Sequence, residues 1–216
     1  VTSPIFTHFS WSLLIIAALR ENARVIHPAL SSVTAASLMP SSDLNPLSGL
    51  LALHIRRGDY IDHCVRLTGW SSHFMGFNQF PGLPDRFFPS SGEAEKQLQY
   101  RAHCFPDIEQ IVARVREVRA SLLPTTRLSR AYVLTNGRPE WLEELKDALQ
   151  EDARREGLDP WAHIGTSRDL NMTKEQRHNA HAMDMAVAQR AEVFLGNGVR
   201  GPFLGLNLRG CFLSEC

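Results

Sequence analysis

The sequence predicts an α/β fold built on a mostly parallel sheet, and three observations carry that expectation. Residues 50–55 form a short apolar run of strand length, the pattern of a strand buried on both faces. From residue 108 onward, strand-length runs alternate with stretches of helical periodicity. Each strand candidate is followed at once by polar or permissive residues: Arg56-Arg57-Gly58-Asp59, Thr135-Asn136-Gly137, Thr166-Ser167-Arg168 and Gly196-Asn197-Gly198. Strands alternating with helices in this way imply a parallel sheet covered by helices on both faces.

Taken in order, residues 11–22 read as a helix that is more apolar than amphipathic, and a loop rich in Ser, Pro and Ala covers 27–48. These first 48 residues read as a linker helix and loop, or the remnant of a preceding domain, set apart from a domain at 49–198 and a divergent tail at 199–216. After the first strand, residues 60–105 look like a long irregular segment with Trp70, Phe74, Phe77, Phe80, Phe87 and Phe88. A loop that long in a compact domain is usually functional or disordered, and the aromatics argue against disorder. A packed lid is the simpler reading, part of an acceptor groove the sharper one.

Ile108, Ile111, Val112, Val115 and Val118 then fall on one helical face, with Pro106 and Asp107 at its start. Residues 131–135 read as a strand. Pro139 can open the next helix, whose buried stripe is Trp141, Leu142, Leu145, Ala148 and Leu149. Residues 162–166 make a weaker strand. Thr173 and Gln176 fit a capping box at the head of a helix running to about Arg190. Residues 193–195 close the series as a last strand.

Composition narrows the function classes. A chain of 216 residues suffices for one well-packed domain with an appendage and is short for two. Lys+Arg and Asp+Glu are both 23, so no bulk attraction to nucleic acid or anionic membrane follows, and any anion site must be local. The apolar run at 13–19 is too short for a bilayer core of about 30 Å and has no basic region ahead of it. The four cysteines, Cys64, Cys104, Cys211 and Cys216, make no Cys-x-x-Cys pair, which argues against a zinc or dithiol centre. Cys64 and Cys104 fit either a disulfide or two buried thiols. Asn171-Met172-Thr173 is a glycosylation sequon, of consequence only in the secretory route. No P-loop and no Gly-x-Gly-x-x-Gly occurs, against a standard NTPase or dehydrogenase. His178, His181 and Asp184 lie at i, i+3 and i+6, but they diverge around the helix, and a structural role is the better reading than a metal site.

Ligands of open parallel sheets bind outside the carboxyl ends of the strands, so the four post-strand loops nominate the site. Arg56 and Arg57 leave the first strand side by side, and adjacent guanidiniums need an anion between them or an acid beside them. Arginine forks take phosphate oxygens in a bidentate geometry that lysine cannot copy. Asp59 with another acid could equally hold them. His54, two residues earlier, shares a face with Arg56. Asn136, Ser167 and Asn197 stand in the other loops. Asp184 shares a helical stripe with Ala180, Val187 and Ala191, so its carboxylate leans inward and needs a partner. That partner is either the two-donor edge of a guanine base or an arginine such as Arg56 or Arg168.

His54-Ile55-Arg56-Arg57-Gly58-Asp59 resembles the His-x-Arg-Arg-type motif of fucosyltransferases that use GDP-fucose. The stretch from Asp184 through Gly196-Asn197 resembles that superfamily's second signature, a helical Asp followed by a strand and a Gly-Asn turn. The resemblance covers roughly residues 50–198 and is nearest to the protein O-fucosyltransferases. It implies a GT-B architecture, with a Rossmann-like donor domain facing a second domain across a cleft. By motif position Arg56 would be the catalytic residue, binding the diphosphate and stabilising the departing GDP. Arg57 would support it or pair within the domain, His54 would lie by the phosphates or ribose, and Asp184 would recognise guanine. Asn136, Ser167 and Asn197 complete the expected donor-binding set. The implied reaction transfers fucose with inversion to a hydroxyl acceptor, on a protein or a glycan. No cofactor and no metal is implied, and the compartment would be the secretory lumen.

The pattern departs from the family after the Gly-Asn turn. Val199-Arg200-Gly201-Pro202-Phe203 stands where a Ser/Thr-rich phosphate-binding stretch is usual. An acceptor domain is not expected within the chain either. A non-catalytic relative that binds the nucleotide sugar, or only keeps the fold, is therefore the rival expectation. An unrelated α/β enzyme for a phosphorylated ligand stands behind both.

Overall fold

A computed structural model describes residues 10–28, 47–70, 88 and 90–196. The chain forms α1 (Leu13–Glu21), α2 (Ala23–Ile26), β1 (Leu47–His54), α3 (Tyr60–Trp70), α4 (Glu93–Cys104) and α5 (Ile108–Leu122). It continues through β2 (Arg130–Leu134), α6 (Pro139–Arg155), β3 (His163–Thr166), α7 (Lys174–His178), α8 (Ala180–Ala188) and β4 (Ala191–Gly196). The four strands make one sheet in the order β3-β2-β1-β4. Every pairing is parallel. This is a Rossmann-like α/β fold. The chain steps outward from β1 to β2 to β3, then crosses back to lay β4 on the far side of β1. The topological switch point therefore lies between β1 and β4, where such sheets open a crevice.

Helices cover both faces. On one, Leu51, Leu53, Ala131, Val133 and Val193 pack with Val112, Val115 and Val118 of α5 and Leu142, Leu145 and Leu149 of α6. On the other, Leu50, Ala52, Tyr132 and Leu134 pack with Ile15, Ala18 and Leu19 of α1 and Met183, Ala186 and Val187 of α8. Burying each such Val, Leu or Ile stabilises the fold by roughly 1.5–3 kcal/mol. Helix starts follow local chemistry. Asp107 and Gln110 form a reciprocal capping box at α5, and Thr173 and Gln176 form another at α7. Pro139 opens α6 at its first positions.

Several expectations change. Helix α1 packs into the core of the sheet rather than standing apart as a linker. Gly165 of β3 makes the junction with α2 possible, because a Cβ there would overlap the backbone carbonyl of Val25. The segment expected to be irregular contains α3 and α4, which hold a third small core of Tyr60, Cys64, Leu67, Tyr100 and Cys104. Cys64 and Cys104 form a disulfide, with Cα atoms 5.8 Å apart. The helix expected from Thr173 to about Arg190 is broken at Asn179 into α7 and α8. Asn197, Gly198, the tail at 199–216, the loop at 29–46 and the aromatics Phe74, Phe77, Phe80 and Phe87 lie outside the described residues.

Candidate functional site

The carboxyl end of β1 is the centre of the sheet's upper edge, with His54 in register between Leu134 of β2 and Gly196 of β4. Alternation along β1 puts the half-buried His54 on the face of Leu50 and Ala52. Beyond it the two arginines part ways.

The Arg56 side chain is 34% exposed, and its guanidinium lies 5.0 Å from the centre of the Tyr60 ring. Its acidic contact is with Asp59, Nη2 to Oδ1 at 3.8 Å, and that carboxylate is itself 79% exposed. An exposed pair at that distance is too long for a hydrogen bond and contributes about 0–1 kcal/mol. The Nε of Arg56 is buried and has no hydrogen-bond partner.

Arg57 is only 8% exposed. Its guanidinium sits between two rings, 4.3 Å from Phe105 and 4.2 Å from Trp141. Cation–π stacking of this kind is strongest where water is excluded. Burial lowers the guanidinium's pKa while the nearby Asp107 opposes that shift. Its Nη1 is buried without a hydrogen-bond partner. The Arg57 amide donates to Oδ1 of Asn136 at 2.7 Å, which ties the loop after β1 to the loop after β2. Gly58, at φ 67°, then turns the chain into α3.

Arg168 extends the tie to the third loop. Its Nη2 donates to the Asn136 carbonyl at 2.9 Å and its Nε to the Gly137 carbonyl at 3.2 Å. Gly137 itself is pressed against Trp141, where a Cβ would come within 2.7 Å of the ring. A side chain at 137 would thus displace the Trp141 ring that Arg57 stacks on. The loop after β3 is fixed at Ser167, whose Oγ accepts from the Thr135 amide at 3.1 Å.

Ser167 also donates to Asp184 of α8, at 2.9 and 3.0 Å to the two carboxylate oxygens. The Tyr132 hydroxyl donates to Asp184 Oδ1 at 2.9 Å. Asp184 therefore takes hydroxyls as its protein partners, and neither Arg56 nor Arg168 pairs with it. Burial pushes its carboxyl up to about 6, against the opposing pull of Ser167, Tyr132 and His181. Burial and the same carboxylate raise the Tyr132 phenol well above its ordinary value.

The structure thus brings Arg56, Arg57, Asn136 and Ser167 to one edge of the sheet, with Asp184 joined to it through Ser167. Asn197 lies outside the described residues. Of the arginines in these loops, Arg57 is buried between rings and Arg168 is engaged with backbone carbonyls, while Arg56 is partly exposed with only one long acidic contact and is the one best placed to meet an anion. Among the described residues, no group of three His, Cys, Asp or Glu side chains is placed to hold a metal ion. The residues that orient the charged ones are Tyr60, Phe105, Trp141 and Tyr132; of these, sequence reasoning pointed only to Trp141, and to that as a core residue of its helix rather than as part of the site. Tyr132 carried a signal, a hydroxyl in the middle of an apolar strand that would need a buried partner. Phe105 carried none, since its approach to Arg57 is set by tertiary packing. No protein-family model matches the chain, and no curated protein matches it.

Proposed function

We propose that this chain is the donor-binding part of a GDP-fucose-dependent glycosyltransferase that moves fucose, with inversion, to a hydroxyl acceptor. The observation that carries the reading is Arg56, a partly exposed guanidinium at the carboxyl end of the central strand, with a buried, unpartnered Nε and one long acidic contact. The motif around it, His54 to Asp59, supports the GDP-fucose class. As the bond from the sugar to the diphosphate breaks and the acceptor oxygen attacks the opposite face, negative charge grows on the departing phosphate. A fixed cation there lowers the barrier selectively. Arg57 is a stacked support for the loop that presents Arg56. Asp184, ionised above about pH 6, keeps lone pairs beyond those used by Ser167 and Tyr132 and can accept from the guanine edge. The acceptor is a protein serine or threonine or a glycan hydroxyl. The setting implied is the secretory lumen.

A second reading, a binder of the nucleotide sugar without transfer, is favoured by the fate of Arg57. With that guanidinium stacked between rings, a single arginine is left to balance the leaving diphosphate.

Calorimetry with GDP, GDP-fucose and ADP tests both readings, and donor hydrolysis separates them. Arg56→Ala is expected to abolish GDP binding and to lower turnover on the order of 10²–10³-fold, the scale of losing one preorganised oxyanion contact. Unchanged GDP affinity in that variant rejects both readings. Asp184→Asn is expected to relax the preference for GDP over ADP, and retained selectivity removes Asp184 from the guanine site.

A further inference from the structure

The two arginines are oriented by rings from two different helices, and those helices are joined covalently. Tyr60, under Arg56, is the first residue of α3, and Cys64 stands four residues on, on the same helical face. Phe105, against Arg57, directly follows Cys104 at the end of α4, and its amide caps that helix through the Arg101 carbonyl at 2.8 Å. Tyr60, Cys64, Tyr100 and Cys104 are buried together, with Phe105 packed at the margin. The disulfide therefore ties the ring beneath one guanidinium to the ring against its neighbour. On its other side Arg57 meets Trp141 of α6, so it is the peg between the stapled hairpin and the body of the sheet.

We propose that the Cys64–Cys104 disulfide, through Tyr60 and Phe105, is a positioning device for Arg56 and Arg57. In the oxidised chain α4 cannot slide along α3, and Phe105 stays closed on Arg57. Reduction by a dithiol such as dithiothreitol delivers two electrons and two protons. The S–S bond becomes two cysteine thiols, and the reductant closes to its own cyclic disulfide. Phe105 is then held by its own packing, by its amide hydrogen bond to α4 and by the chain leading into α5, with no covalent tie to α3. The guanidinium of Arg57 loses a wall, and the loop carrying Arg56 gains freedom. The effect on anion binding rests on the functional reading above. The effect on Arg57 does not.

The full chain, oxidised and then reduced, provides the test, with side-chain NMR of the Arg57 Nε–H group as the first readout. Held between two rings, that proton should resonate at a ring-shifted position, move toward its free-arginine value on reduction, and return on reoxidation. Amide signals of β1 and β2 should persist throughout. An unshifted Arg57 signal in the fully reduced chain overturns the proposal, because α5 alone would then suffice to hold Phe105. Collapse of the sheet signals together with that of Arg57 also overturns it, since the bridge would be supporting the whole fold. Phe105→Leu, with the disulfide intact, should remove the Phe105 share of the ring shift and leave that of Trp141, and an unchanged shift counts against the geometry. The second readout is the affinity for inorganic pyrophosphate by calorimetry, expected to weaken about tenfold on reduction, the scale of one misplaced charge-assisted contact. An oxidised chain that binds no pyrophosphate counts against the proposed function, and the NMR result still decides the positioning role.

Discussion

The sheet and the α3–α4 hairpin hold their shapes by different means. The sheet has an extended apolar cluster on each face, drawn from helices before and between its strands. The hairpin has a core of Tyr60, Cys64, Leu67, Tyr100 and Cys104, and two of those five residues are the bridge itself. Its helices pack chiefly on each other. Small cores bury too little surface to offset chain entropy, and a covalent cross-link is the usual supplement. The candidate anion site falls on the seam between the two regions, with Arg57 in contact with both. Rigidity at that seam thus draws on noncovalent packing from one side and a bond from the other.

The largest way to break this contrast is to cut the bridge. Cys64→Ser frees a loop closed by cysteines 40 residues apart, which costs about 4 kcal/mol on the chain-entropy scale. Hydrogen exchange should show α3 and α4 losing protection while β1 and β2 keep theirs. Equal loss in both regions would mean that they fold as one unit. Leu145→Ala attacks the other region. This fully buried α6 residue should cost about 3 kcal/mol in denaturant melts, felt across the sheet.

A third test uses pH. The Asp184 carboxyl is raised from 3.8 to about 6 in the folded chain. Between those values the native state holds a proton that the unfolded chain has released. The stabilising contribution is therefore complete below about pH 4 and is lost as pH rises through about 6. The loss is about 2 to 3 kcal/mol, and Asp184→Asn should flatten that part of the stability–pH curve. Protection of the hairpin amides should not follow that curve if the regions are independent. The smallest effect is expected at Arg127→Ala. Arg127 is 75% exposed and its partner Asp159 63%, so melting should change by under about 1 kcal/mol.

The sheet was legible in sequence to a degree the hairpin was not. Strands expected at 50–55, 131–135, 162–166 and 193–195 appear as Leu47–His54, Arg130–Leu134, His163–Thr166 and Ala191–Gly196. Runs buried on both faces announce themselves. The Thr173–Gln176 capping box was readable because it depends on side chains three residues apart. In α4 the only buried positions are Tyr100 and Cys104, so no apolar stripe distinguishes it from a polar loop. In α3 the stripe Tyr60, Cys64, Leu67 was present but hidden among His63, Arg66 and aromatic neighbours. The site divided in the same way. Arg56, Arg57 and Asp184 stood out as charges beside apolar runs. Which arginine would be stacked was settled by Phe105 and Trp141, one before and one after β2, and no local pattern reports such a meeting.

The seating of α1 has a practical side for protein engineering. A shortened version beginning at Leu47 would keep every strand and still strip a layer from the molecule, leaving wet the apolar face where Ile15, Ala18 and Leu19 rest. Such a fragment should clump in concentrated solution, and adding residues 10–28 as a separate peptide should restore its solubility.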